Sequence, residues 1–178
     1  MKDYRVYLRA LELDDSFLIN KWRQSSDTTK YLAGNFHFVS LYRERLSIED
    51  KIKDDSKNIY LGVCLKENDK LIGYVQANNI DLRNQKVEWG GTFIGDKDYW
   101  GEKYGQEATE LLLSFLFGQF PINKCYAYCL ASHPATPRLF EKLGFKQDGV
   151  LRNDVFKNGI FNDVLVYSLL RSEIYSYF

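Results

Sequence analysis

A chain of 178 residues is long enough to bury one substantial core and short for two ordinary domains, so a single domain over residues 1–178 is expected. Its 24 basic and 24 acidic side chains cancel, which leaves no electrostatic footprint for nucleic acid, and 45% hydrophobic with 27% charged residues excludes disorder. No apolar run approaches the roughly 20 residues that span a bilayer, and the charged, alternating N-terminus is no signal peptide. The expectation is therefore a cytoplasmic protein with no membrane or nucleic-acid partner.

In chain order, Tyr4–Arg9 alternates as a short strand. Asp14 and Asp15 then start a helix in which Phe17, Leu18 and Trp22 recur at helical spacing. Ser25–Ser40 is a polar, aromatic connector expected to be irregular, and Leu41–Asp55 is an amphipathic helix with Leu41, Leu46, Ile48 and Ile52 on one side. The period then changes to two. Asn58–Lys66 and Lys70–Asp81 read as strands joined at Glu67-Asn68-Asp69, and Lys86–Gly95 follows a turn at Arg83-Asn84-Gln85. Gly90-Gly91 inside that third strand suggests a bulge, or a place where a ligand lies against the backbone. A long helix runs from Tyr104 to Phe117, and Pro121 breaks the chain before a strand over Asn123–Ala131. A helix starting at Pro134 or Thr136 ends at Leu143 with Gly144 as its stop. Phe145–Phe156 and Ile160–Leu170 are two late strands turning at Lys157-Asn158-Gly159. The order β-α-α-β-β-β-α-β-α-β-β predicts an α/β domain: a mixed, mostly antiparallel seven-stranded sheet with helices on both faces.

The stretch "DYWGEKYGQEA", Asp98–Ala108, places glycines at the mouth of the long helix. A glycine-bearing loop running into a helix leaves several backbone N–H groups unpaired at the positive end of the dipole, which makes a cradle for an anion such as a diphosphate. A tight turn closed by glycines would account for the same residues without a ligand. Cys64, Cys125 and Cys129 form neither a metal-ligand spacing nor an even disulfide set, and no metal is expected.

Two motifs carry a resemblance. Trp100-Gly101-Glu102-Lys103-Tyr104-Gly105-Gln106-Glu107-Ala108 resembles the phosphate loop of the GNAT superfamily of acyl-CoA N-acyltransferases, and His133 through Phe140-Glu141-Lys142-Leu143-Gly144-Phe145 resembles a downstream motif of the same family. The branch it is most similar to is that of ribosomal-protein, polyamine and nucleotide-sugar N-acetyltransferases. The likeness runs from "YLRALELDD" to Glu173. It implies acetyl-CoA as co-substrate, lying in a split between the Lys86–Gly95 and Asn123–Ala131 strands. Cofactor contacts are then expected from Thr92, Phe93 and Ile94, from Trp100, Gly101, Glu102, Lys103, Tyr104, Gly105 and Gln106, and from His133, Phe140 and Lys142.

Departures from the family pattern are specific. Lys103 stands where the loop's first glycine is usual, and its amide can still donate from a helical or bridge conformation. His133 replaces an Asn that contacts the pantetheine or a following backbone group. Phe140 replaces a Tyr that protonates the departing thiolate. Another hydroxyl or water then serves, or the thiolate leaves unaided, since a thiol with pKa near ~8.5 is a tolerable leaving group.

Acetyl transfer needs a held thioester, a polarised carbonyl and an amine stripped of its proton. Glu88 is the candidate base, with neighbouring Trp89 available to desolvate it and raise its pKa. Tyr126 and Tyr128 share a strand face, and Tyr128 is the candidate hydroxyl for the leaving sulfur. Trp22, Tyr31, Phe36 and His37 are placed at the acceptor pocket by the resemblance. The expected acceptor is a primary amine of a polyamine, an amino sugar, a nucleotide-linked amino sugar or a protein N-terminus, attacked directly in a ternary complex. The alternatives are a non-catalytic acyl-CoA-binding module and a nucleotide-binding regulator. A homodimer is possible.

Overall fold

The structure is a computed structural model that describes residues 3–30, 32, 38–54 and 56–176. Seven strands form one sheet: β1 Val6–Ala10, β2 Ile59–Leu65, β3 Leu71–Asp81, β4 Lys86–Ile94, β5 Lys124–Leu130, β6 Lys146–Lys157 and β7 Ile160–Leu170. Their spatial order is β1-β2-β3-β4-β5-β7-β6, antiparallel throughout except for the parallel pair β4–β5. The helices are α1 Asp15–Arg23, α2 Ser26–Thr29, α3 Leu41–Lys53, α4 Tyr104–Gln119 and α5 Thr136–Lys142. The expected order of strands and longer helices holds, with short additions: 3-10 segments at Lys97–Tyr99 and Arg171–Ser176, and one further helical turn. A single helical turn, α2, forms inside the connector read as irregular, and the Thr28 and Thr29 hydroxyls inside it donate back to the Ser25 carbonyl.

Local chemistry accounts for the ends. Ser40 Oγ accepts from the Arg43 amide and starts α3. Asn158 and Gly159 both hold positive φ, 53° and 83°, the two-residue turn whose twist matches a β6–β7 hairpin. Gly144, at φ 84°, closes α5 in the left-handed conformation expected of it.

The sheet separates two apolar clusters. The larger gathers Val87, Trp89, Leu112, Leu116, Ala127 and Phe140 under α4 and α5, and the smaller gathers Ile19, Trp22, Ile48 and Phe93 under α1 and α3. The buried stripes of α1 and α3 differ from expectation: Phe17, Leu18, Leu46 and Ile52 are exposed, while Asn20 and Glu44 are buried. Polar groups can sit there because each has a partner. Asn20 Nδ2 donates to the Val39 carbonyl, and Glu44 accepts from Arg23 Nη1 at 3.3 Å. The cysteines are core residues as expected, and burial pushes the Cys125 thiol up to about 12 and Cys129 to about 11.

One irregularity shapes the site. Gln76 pairs with Gly91 and Ala77 with Trp89, so Gly90 is the extra residue of a bulge. Trp89 and Phe93, four residues apart, would share a face in a regular strand. The inserted residue sends Trp89 into the larger cluster and Phe93 into the smaller. Gln76 Nε2 donates to the Gly90 carbonyl at 2.7 Å and holds the bulge in shape.

Candidate active site

The parallel pairing of β4 and β5 stops early. It covers Lys86–Trp89 against Lys124–Ala127 and goes no further, although β4 continues to Ile94 and β5 to Leu130. Past Trp89 the two strands fork, and each turns one edge of unpaired backbone groups toward the opening. Gly91, at φ 125°, lies at this point, and a Cβ there would meet nothing within 4 Å. The split is where the resemblance puts it, and it opens at the residue where β4 bulges away from its pairing with β3.

The mouth of α4 lies beyond the end of β4. The Trp100 amide donates to the Lys97 carbonyl, and the first α4 bond runs from the Glu107 amide to the Lys103 carbonyl. Between them, the amides of Gly101 through Gln106 donate to no carbonyl among the described residues. These are the orphan donors that a helix start leaves for an anion. Trp100 differs from its expected role, since its amide is taken and its indole Nε1 donates to the Ile94 carbonyl at 2.7 Å.

Lys103 also differs. It sits at φ 66° and ψ 8°, the left-handed region, and not in a helical or bridge conformation. The loop keeps the shape that the family's glycine would supply, at the cost of a Cβ in a strained backbone. Gly101, at φ 80°, takes the other left-handed position. Thr92 Oγ1 lies 2.8 Å from Thr109 Oγ1, which itself donates to the Gly105 carbonyl at 2.7 Å. Since Thr109 has one proton, Thr92 is the donor, and this relay ties β4 to the helix mouth.

His133 spends its ring on the protein. Nδ1 lies 3.2 Å from the Ala135 amide and 3.0 Å from the Thr136 amide and accepts from both, and Nε2 lies 3.1 Å from Thr136 Oγ1. It therefore caps α5, which has no side-chain cap of its own, and of the two contacts expected for this position it makes the one to a following backbone group. Desolvation lowers its pKa. The resemblance puts Phe140 beside the cofactor, yet it has 0% exposure and packs on Trp89, Phe145 and Tyr167 at 5.0–5.1 Å between ring centroids. Lys142, the last residue of α5, is exposed.

On the other face of the sheet, Glu88 pairs with Tyr126, and Tyr128 follows on the same face with its ring 5.8 Å from that of Tyr126. Glu88 Oε2 accepts from Asn79 Nδ2 at 2.8 Å. Trp89 cannot desolvate Glu88, because neighbouring strand residues point to opposite faces and its indole lies edge-on to Phe140 in the larger core. The buried Trp89 Nε1 has no hydrogen-bond partner among the described residues. Tyr128 is 42% exposed, one residue beyond the last β4–β5 pair.

Trp22 reaches over the end of β4. A Cβ on Gly95 would lie 2.1 Å from its ring, so the absence of a side chain at 95 is what lets the indole pack there. Trp22, Ser25, Thr28 and Gly95–Lys97 line a cavity of about 500 Å³ on this side. Lys97 Nζ meets Asp27 at 2.6 Å and joins α2 to the loop that leads into the α4 mouth. Tyr31, Phe36 and His37, expected at the acceptor pocket, lie outside the described residues.

Arg5 escaped the sequence reading. Its guanidinium contacts Glu102, Tyr104 and Glu107, a set that no local pattern signals because about a hundred residues intervene.

A family model described as an acetyltransferase (GNAT) domain matches residues 5–146. The chain belongs to the GNAT family. It is an acetyl-CoA-dependent N-acetyltransferase, with the GNAT fold that the resemblance implied. It is similar to an uncharacterized N-acetyltransferase, p20, of Bacillus licheniformis, 26% identical over 95% of this chain and 94% of that one. It is also similar to a spermidine N(1)-acetyltransferase of Vibrio cholerae, 24% identical over 95% of each chain. A crystal structure of spermidine N-acetyltransferase from Vibrio cholerae, in complex with CoA and spermine, superposes with a TM-score of 0.87 at 22% identity, covering 96% of this chain and 98% of that chain. Among the described residues of this GNAT protein, no helix is long and apolar enough to cross a membrane, and no three His, Cys, Asp or Glu side chains gather closely enough to hold a metal ion.

Proposed function

We propose that this enzyme transfers an acetyl group from acetyl-CoA to a primary amine of a small acceptor, with polyamines the first candidates. The observation that carries the reading is the run of unpartnered amides from Gly101 to Gln106 beside the fork past Trp89 and Ala127. The amides take the diphosphate of the co-substrate, and the pantetheine lies along the open edge of β4 at Thr92–Ile94. The thioester then reaches the bulge, where the acceptor face begins.

On that face the chemistry divides between two residues. Glu88 accepts the proton that the amine loses, directly or through water. The amine nitrogen bonds to the thioester carbon, the C–S bond breaks, and the CoA thiolate takes a proton supplied by Tyr128. Phe140 has neither a hydroxyl nor an exposed surface, so the proton must come from elsewhere. A polyamine suits a site with one carboxylate among aromatic rings, since a cation is attracted both to Glu88 and to the faces of Tyr126 and Tyr128. The likeness to spermidine N-acetyltransferases supports the same class. Amino sugars, nucleotide-linked amino sugars and protein N-termini are the competing acceptors.

The test is CoA-thiol release from acetyl-CoA with a panel of polyamines, aminoglycosides, amino-sugar nucleotides and short peptides. Turnover with a polyamine at a kcat/KM well above the other classes is the expected result. Release with peptides alone would overturn the acceptor assignment, and tight CoA binding without release by any amine would overturn the catalytic one.

A further inference from the structure

Arg5 lies immediately before β1 and touches the α4 mouth at three points. Its main-chain amide donates to Glu107 Oε2 at 2.8 Å, and its Nε donates to Glu107 Oε1 at 2.8 Å. Nη2 lies 2.6 Å from the same Oε1 and donates to the Glu102 carbonyl at 2.5 Å. The guanidinium carbon sits 4.0 Å above the centre of the Tyr104 ring. One side chain thus spans the loop from Glu102 to Glu107, across the strained residue Lys103 and across Gly105.

Glu107 needs such a partner. A carboxylate in the first turn of a helix suits the helix dipole, but here that turn also offers its free amides to an incoming anion. A bare carboxylate beside a bound diphosphate would repel it. The Glu102 carbonyl poses the same difficulty, since its negative end would face the phosphates if it turned inward. Both of these oxygen-bearing groups are instead taken by Arg5.

We propose that Arg5 is a positioning residue for the diphosphate of acetyl-CoA: it neutralises Glu107 and turns the Glu102 carbonyl out of the cradle, leaving a loop that presents only donors. The proposal rests on the reading of residues 101–106 as the CoA cradle. An ion pair whose arginine side chain is 46% exposed adds little to folding stability, so its loss registers in ligand binding.

The experiment is calorimetric titration of CoA into the wild type, Arg5→Met, Glu107→Gln and the double variant, with acetyl-CoA and acceptor KM measured on each. Arg5→Met is expected to weaken CoA by about tenfold, the scale of a lost charge-assisted contact, with acceptor KM unchanged. Glu107→Gln binds CoA as well as the wild type or better, because it removes the repulsive charge. In the double variant CoA affinity recovers to within about threefold of the wild type, since the Glu107 charge is gone and only the hold on the Glu102 carbonyl is missing. Unchanged affinity in Arg5→Met, weaker binding in Glu107→Gln, or a double variant as weak as Arg5→Met would each overturn the role of Arg5. If Arg5→Met does not fold, Glu107→Gln alone decides. A wild type that fails to bind CoA removes the cradle itself, and this proposal with it.

Discussion

Gly95→Ala is the sharpest perturbation the fold offers. The added Cβ would lie 2.1, 2.3 and 2.4 Å from three atoms of the Trp22 ring, where ordinary carbon contacts are about 3.5–4.0 Å. Trp22 must therefore retreat by about 1.5 Å, and it has little room. It is 9% exposed and packs against Phe93 with ring centroids 6.4 Å apart. Overpacking of this kind costs about 1–3 kcal/mol, offset by roughly 0.4–1 kcal/mol from the stiffer unfolded chain. The net loss of about 1–2 kcal/mol lowers Tm by about 2–8 °C in a chain of this size. Thermal and urea melts followed by circular dichroism read it. In a Trp22→Leu background the clash partner is gone, so Gly95→Ala becomes nearly neutral, a coupling of about 1 kcal/mol or more. Because Trp22 also lines the acceptor-side cavity, acceptor KM rises in Gly95→Ala while CoA affinity holds. A Gly95→Ala protein within about 0.5 kcal/mol of wild type, or one destabilised equally in both backgrounds, would refute the close approach.

Other expectations follow from the same geometry. Lys103→Gly relieves a left-handed residue, so it raises stability by about 0.5–1 kcal/mol over Lys103→Ala in parallel melts while CoA still binds. Gly105→Trp places an indole where even a Cβ sits 3.6 Å from Ile94 and 3.8 Å from Thr92, and CoA affinity falls by at least about tenfold in calorimetry. His133 is held neutral by burial, so its folded pKa lies below the unfolded value near ~6.5. The unfolded chain then binds the extra proton, and stability is lost as pH falls from about 6.5 toward the folded pKa. Urea titrations between pH 7.5 and pH 5 should show a shallower loss in His133→Asn, which keeps an acceptor for the α5 amides. Tyr128→Phe lowers kcat by about 10²-fold with CoA affinity unchanged, if it is the proton source for sulfur, and single-turnover thiol release measures it. An unchanged kcat would remove Tyr128 from the mechanism.

The period-two runs, the Asn158-Gly159 turn, the stop at Gly144 and the glycine-bearing mouth of α4 were all legible in the sequence. Each depends on interactions within a few residues: alternation of side chains across a strand, or a positive φ that a glycine or asparagine tolerates. The motif around Trp100–Ala108 belongs to the same class, since unpaired amides at a helix start are a property of the helix itself. Contacts between distant segments were not legible. Arg5 and Glu107 are 102 residues apart, and nothing near either one signals the pairing. Glu44 is charged and sits in an amphipathic repeat, yet the packing of α1 on α3 buries it against Arg23. Phe140 looks like a ligand contact by motif and is core by packing, because Trp89, Phe145 and Tyr167 close around it. Backbone conformation and periodicity are local and were set by the chain's own order of residues. Which face a side chain meets after a bulge, and which charge finds which partner, was decided only when the sheet and helices assembled, because burial and pairing depend on neighbours that sequence distance conceals.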